Sequence, residues 1–209
     1  MKCCGITTVD DALQAANLGF DAIGLVFAAR SKRVLSLEKA REIRRALPPM
    51  VSAVALFMDN DAGEVARVVD VVRPDLLQFH GSEQDDWCAQ FRLRYIKAIA
   101  MGEGAAALPA LAAYPGAAAL LLDGNVTGQA GGRGEVFDWS LIPEHVVQPL
   151  ILAGGLNEAN VAEAVRKTQP WAVDVSSGVE SSPGVKDAGR MDLFVAAVRS
   201  AAANLPRSR

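Results

Sequence analysis

The chain has 209 residues, 51% of them hydrophobic, and its 21 basic side chains face 24 acidic ones. That apolar supply supports a sizeable core and excludes a disordered chain. A net charge of −3, with no block of like sign, leaves no electrostatic footprint for nucleic acid or an anionic membrane surface.

Short apolar runs alternate with longer amphipathic ones. KCC (2–4) reads as a short strand. The next segment, 10–19, carries apolar residues at 12, 13, 15, 16 and 18, a helical stripe with Thr7 and Thr8 as capping candidates and Gly19 at its end. AIGLVF (22–27) is continuously apolar, as a strand buried on both faces requires. Residues 36–48 read as a helix capped by Ser36, basic in its last turn and stopped by Pro48. VSAVALF (51–57) is a strand, and 60–72 a helix with Val65, Val68, Val69 and Val72 on one face. LLQFH (76–80) leads to a helix over 82–91 that opens on a Ser-x-x-Asp capping box at Ser82. YIKAIA (95–100) precedes a weakly marked Ala-rich helix near 105–113. AALLLD (118–123) is a strong strand. PLILA (149–153) leads into a helix over 157–167 capped by Asn157, and WAVDV (171–175) into a last helix over about 187–203.

Strands thus begin near 2, 22, 51, 76, 95, 118, 149 and 171, each followed by a helix or long loop, with no linker between them. Eight βα units in one chain of this length predict a single-domain (β/α)8 TIM barrel over 1–209. An open doubly wound sheet is the alternative. It would place a Gly-rich phosphate turn after the first strand, where CCGIT offers one glycine.

Three cysteines, Cys3, Cys4 and Cys88, are too few for a disulfide framework, and His80 and His145 have no second ligand at metal-binding spacing. No signal peptide and no uninterrupted membrane span is expected, so the default is a reduced, cytoplasmic protein.

A barrel places its active site at the carboxyl ends of its strands. Cys4, His80, Asp123 and Asp174 lie there, with Arg33 and Asp59 in adjoining loops. Asp123, closing an apolar strand, suits a general acid or an ordinary cap. Cys4 suits a thiol at the barrel mouth or a small buried hydrophobe. Period two sends Cys3 and Cys4 to opposite faces, one toward the barrel interior and one toward the helices. AGGL (153–156), with Gly154 and Gly155, and VSSGVE (175–180), with Ser176, Ser177 and Gly178, bring small residues into the two loops where barrels often bind phosphate. Arg33 suits a carboxylate or water.

Together these stretches resemble the phosphoribosylanthranilate isomerase family of tryptophan biosynthesis, over nearly the whole chain. The similarity rests on KCCGIT, AIGLVF with SKRVLS, LLQFHGSE, LLLD followed by GGRGEVFDW, LAGGLNEANV and VDVSSGVESSPGVKD, in that order. It implies an Amadori rearrangement of N-(5-phosphoribosyl)anthranilate with no cofactor and no metal. It implies Asp123 as general acid, Cys4 as general base and Arg33 as the residue holding the anthranilate carboxylate. His80 and Asp174 would lie near the sugar, and Gly154, Gly155, Ser176, Ser177 and Gly178 would cradle the phosphate. The only implied partner is the small-molecule substrate, with no nucleic acid and no membrane, in a monomer or homodimer. Cys3, Lys32, Phe79 and Arg133 depart from the family pattern, the last within the Gly-rich loop after the sixth strand. A histidine-pathway isomerase would want an aspartate where Cys4 stands. An indole-forming synthase would use a lysine such as Lys97. A non-catalytic phospholigand-binding barrel would need neither Cys4 nor Asp123.

Overall fold

The computed structural model describes residues 1–126 and 136–205. Arg133 and the GGRG stretch fall outside them. Eight parallel strands close a barrel in chain order: β1 (Lys2–Cys4), β2 (Ala22–Val26), β3 (Ser52–Phe57), β4 (Leu76–Phe79), β5 (Tyr95–Ala100), β6 (Ala119–Asp123), β7 (Leu150–Leu152) and β8 (Ala172–Val175). β8 returns to pair with β1, Lys2 facing Asp174 in the register. Helices α1 (Val9–Leu18), α2 (Leu37–Ala46), α3 (Ala62–Val72), α4 (Asp85–Ala89), α5 (Val161–Thr168) and α6 (Ala188–Ala203) alternate with the strands. The barrel expectation is met, and the open sheet is excluded by closure.

Two apolar layers follow from strand periodicity. Val54, Ile96, Ala98, Leu121 and Ile151 fill the barrel interior. The outward-facing residues of the same strands pack against the helices in the larger core. In that outer layer Phe79 touches Phe57, Trp87, Phe91 and Tyr95, with ring centroids 5.5–6.0 Å apart. An aromatic side chain at position 79 is therefore accommodated by an aromatic cluster built around it.

Local chemistry explains where the elements depart from expectation. Thr8, not Thr7, caps α1, accepting from the Asp11 N–H, while the Thr7 hydroxyl donates to the Gly184 carbonyl. Ser82 does not cap α4. The Asp59 carboxylate takes the Ser82 N–H and Oγ–H, and Gln84 becomes the cap without a side-chain bond. α5 starts four residues late because Asn157 and Asn160 bond each other's backbone N–H groups, closing a separate turn. The Ala-rich segment is a 3₁₀ helix, Met101–Ala112, broken at Gly104 (φ 64) and carrying Pro109, which has no N–H to donate. After β8 the chain adds a two-stranded hairpin, β9 (Glu180–Ser182) with β10 (Val185–Lys186), before α6.

Candidate active site

The carboxyl ends of the strands carry a polar layer above the apolar barrel interior. Each side chain arrives there by the period of its strand. Lys2 and Cys4 share one face of β1, Gln78 lies on β4 with His80 just past its end, Leu121 and Asp123 share one face of β6, and Asp174 follows Ala172 on β8. Cys3 points the other way and is wholly buried in the outer core, whereas Cys4 lies at the mouth beside Val26, Ala28 and Leu56. Gly24 is the register partner of Cys4 on β2. A Cβ there would stand 2.6 Å from the Cys4 Sγ, so the close approach of thiol and backbone requires glycine.

Cys4, Arg33, His80, Asp123, Asp174 and Ser176 border one cleft. Burial pushes the Cys4 thiol above its ordinary pKa, and the nearby Lys2 ammonium pulls it part of the way back. Lys2 donates to the Asp174 Oδ1 at 3.0 Å, and both side chains are buried. Burial pushes the Asp174 carboxyl up, and Lys2 does not fully offset it. Among the described residues Asp123 is fixed through one oxygen. Its Oδ1 accepts from the Asn125 N–H (3.1 Å) and Nδ2 (2.5 Å). Its Oδ2 faces the His80 Nε2 at 3.5 Å, a spacing for charge attraction rather than a formed hydrogen bond. Two buried polar atoms at this mouth, Gln78 Oε1 and His80 Nε2, have no hydrogen-bond partner among the described residues. Such atoms cost free energy unless a ligand satisfies them.

On one flank Arg33 reaches over the mouth from the loop after β2. Its Nε and Nη2 donate to the two Glu180 carboxylate oxygens at 2.7 and 2.6 Å. On the other flank, Gly154 and Gly155 adopt positive φ (76° and 64°), and their N–H groups donate to no acceptor among the described residues. They share a continuous hollow with Asp123, Asp174, Ser176 and Ser177. Gly178 abuts the Leu156 carbonyl, so the loops after β7 and β8 are packed together.

All the sequence-derived candidates therefore border this mouth or the loops beside it. Gln78, Asn125, Glu180 and Lys186 also belong to this mouth or hold its residues, and the strand-end pattern does not point to them. Gln78 carries a readable signal, a polar residue two before His80 inside the apolar strand LLQF. The pairing of Glu180 with Arg33 spans 147 positions and leaves no local pattern. Asp59 is structural, as the partner of Ser82. Lys97 points away from Cys4. It lies on the helix side of β5, bonded to Glu83 (2.8 Å) and the Gly81 carbonyl, with the Tyr114 ring 5.3 Å away. That binding removes it as the catalytic lysine of an indole-forming synthase. Among the described residues no cluster of three or more His, Cys, Asp or Glu side chains is arranged to hold a metal ion.

Known proteins share this sequence and fold. The profile of the N-(5'phosphoribosyl)anthranilate (PRA) isomerase family matches residues 1–197. An N-(5'-phosphoribosyl)anthranilate isomerase of Pseudomonas paraeruginosa is 54% identical over 200 residues, covering 96% of this chain and 95% of its own length. One from Nitrosospira multiformis is 48% identical over 198 residues, covering 95% of each. Among solved structures, phosphoribosyl anthranilate isomerase of Thermotoga maritima superposes with a TM-score of 0.86 at 38% identity, covering 95% of this chain and 98% of its own. A phosphoribosyl anthranilate isomerase in complex with reduced 1-(o-carboxyphenylamino)-1-deoxyribulose 5-phosphate superposes with a TM-score of 0.81 at 35% identity, over 95% and 97% of the two chains. With the barrel closed, the polar mouth assembled and both relatives and profile spanning nearly all of it, the chain belongs to the N-(5'-phosphoribosyl)anthranilate isomerase family.

Proposed function

We propose that the chain isomerises N-(5'-phosphoribosyl)anthranilate to 1-(2-carboxyphenylamino)-1-deoxyribulose 5-phosphate, with Asp123 as general acid and Cys4 as general base. The observation that carries this reading is the layout of the mouth. Among the described residues, a thiol and a carboxyl with one open oxygen border the same cleft, between an arginine fork and a turn of undonated backbone N–H groups. A substrate with a carboxylate at one end and a phosphate at the other spans those flanks.

The proton inventory follows. The Asp123 Oδ2 delivers a proton to the ribose ring oxygen as the C1–O bond breaks, and the anthranilate nitrogen lone pair forms the C1=N iminium. The Cys4 thiolate then takes the proton from C2. The C–H electron pair flows into the iminium, giving an enolamine that tautomerises to the ketone. The electron sink belongs to the substrate. A thiol raised by burial is scarcer as thiolate but a stronger base once formed.

Arg33 binds the anthranilate carboxylate with the guanidinium edge that Glu180 leaves open, and the ring lies against Val26, Ala28 and Leu56. Gln78, His80 and Asp174 meet the ribose hydroxyls. Gly154, Gly155, Ser176, Ser177 and Gly178 take the phosphate. Three free, buried thiols suit a reduced cytoplasm. The assembly is a monomer or a homodimer. Turnover of the substrate by purified, reduced protein, followed through the change in anthranilate fluorescence, is the test. Absence of turnover in folded protein would favour a phospholigand-binding barrel.

A further inference from the structure

The base side of the mouth is tied together by a buried charge relay that the chemistry above does not use. Arg33, Glu180 and Lys186 are each less than a tenth exposed. Glu180 accepts both bonds of the Arg33 fork and a third from the Lys186 Nζ at 2.8 Å. The same ammonium donates to the Cys4 carbonyl at 2.7 Å and the Ser176 carbonyl at 3.1 Å. The Arg190 guanidinium grips the Glu180 carbonyl at 2.6 Å, and Thr7 holds the hairpin turn at Gly184. Gly5, at φ 74°, lies directly under the Arg33 side chain, where a Cβ would collide with its Cδ.

We infer that Glu180 and Lys186, on the β9–β10 hairpin, are positioning residues that aim Arg33 at the substrate carboxylate and tie that aim to the backbone of Cys4. Two cations share one carboxylate, so the buried relay has a formal charge of +1. An unbalanced buried cation is costly unless an anion completes it. Two of the five Arg33 N–H donors are spent on Glu180, and the Nη1 end has no protein partner among the described residues. A second carboxylate arriving there neutralises the relay. Burial pushes the Glu180 carboxyl up, but the Arg33 hydrogen bonds and the Lys186 charge outweigh it and hold it below the usual range. Glu180 is therefore ionised at neutral pH and able to orient the fork. Through Lys186, the loop that binds carboxylate, the strand end that carries the base and the loop after β8 share one anchor.

This inference rests on the reading of Arg33 as carboxylate holder, and the experiment separates the two. Binding of reduced 1-(o-carboxyphenylamino)-1-deoxyribulose 5-phosphate and of its phenylamino counterpart lacking the carboxylate is measured for wild type, Arg33→Ala, Glu180→Gln and Glu180→Asp. Wild type should prefer the carboxylated ligand by about tenfold or more, and Arg33→Ala should lose that preference. Glu180→Gln should lose most of it as well, while its affinity for the carboxylate-free ligand changes by less than about twofold. Glu180→Asp, which keeps the charge, should restore part. If Arg33→Ala keeps the preference, the carboxylate reading itself fails. If Arg33→Ala loses it but Glu180→Gln keeps it, or weakens both ligands equally, the positioning role is overturned. Nitrogen NMR of the wild-type protein gives a check independent of variant folding. The Arg33 Nε–H should exchange slowly, and rapid exchange contradicts the relay.

Discussion

The two halves of the catalytic mouth are held in different ways. On the β1 side, Cys4 is framed by ions: Lys2 with Asp174 below it, and Arg33, Glu180 and Lys186 above it, all buried. On the β6 side, Asp123 is held among the described residues by Asn125, two positions away, and faces His80 across 3.5 Å. The difference matches the proposed role of each group. A buried thiol becomes a base only if cations favour its charged form, so it needs electrostatic company. A carboxyl that gives up a proton needs one anchored oxygen and one open one, which a local amide supplies.

The largest expected effect comes from the lightly held side. Asp123→Asn keeps the shape and the Asn125 contact but removes the transferable proton. Turnover should fall by about 10²–10⁴ with an unchanged circular dichroism spectrum. Near-normal kcat would mean that the acid lies elsewhere and that the asymmetry of the mouth has been misread.

Lys2→Met tests the heavily held side. It leaves Asp174 buried without its partner, and breaking a buried pair in this way costs roughly 3–5 kcal/mol of stability, readable in denaturant unfolding. The lost ammonium should also move the Cys4 thiol further up, because Lys2 is the principal charge lowering it. Alkylation of Cys4 at fixed pH should slow accordingly. The other two thiols do not obscure the reading, since Cys3 and Cys88 are wholly buried in the outer core, whereas Cys4 borders the cleft. Stability lost with no change in Cys4 reactivity would reduce Lys2 to a structural ion.

The smallest effect is expected one residue away from the base. Cys3→Ala removes a sulfur from the outer core and should cost about 1 kcal/mol, with turnover unchanged. A large loss of kcat would contradict the division of the adjacent cysteines between two faces of β1.

That division was legible in the sequence, because a strand's period is strict and does not depend on distant partners. The eight strand positions were legible for the same reason. The helix starts at Ser82 and Asn157 were not, because the distant Asp59 carboxylate takes the Ser82 N–H and the Asn157–Asn160 pair closes a turn of its own. The β9–β10 hairpin lies where the sequence pattern indicates a loop. Its segment, ESSPGVK, is short and polar, and its role lies in buried ionic contacts with residues around 150 positions earlier. The candidate site divided similarly. Residues at strand ends were found from their place in the fold, while Glu180, Lys186 and Asn125, which hold those residues, carry no motif of their own in pattern reading.

The most direct measurement is the pH profile of kcat/KM for wild type and Cys4→Ala, side by side. In the proposed mechanism Cys4 acts as the thiolate, so wild-type activity should climb with pH along a limb lying above the thiol's ordinary range, since burial raises Cys4 and Lys2 only partly lowers it. In Cys4→Ala that limb should vanish and activity should fall by about 10²–10⁴. A folded Cys4→Ala enzyme with near-normal activity and the same alkaline limb would contradict the assignment of Cys4 as the base.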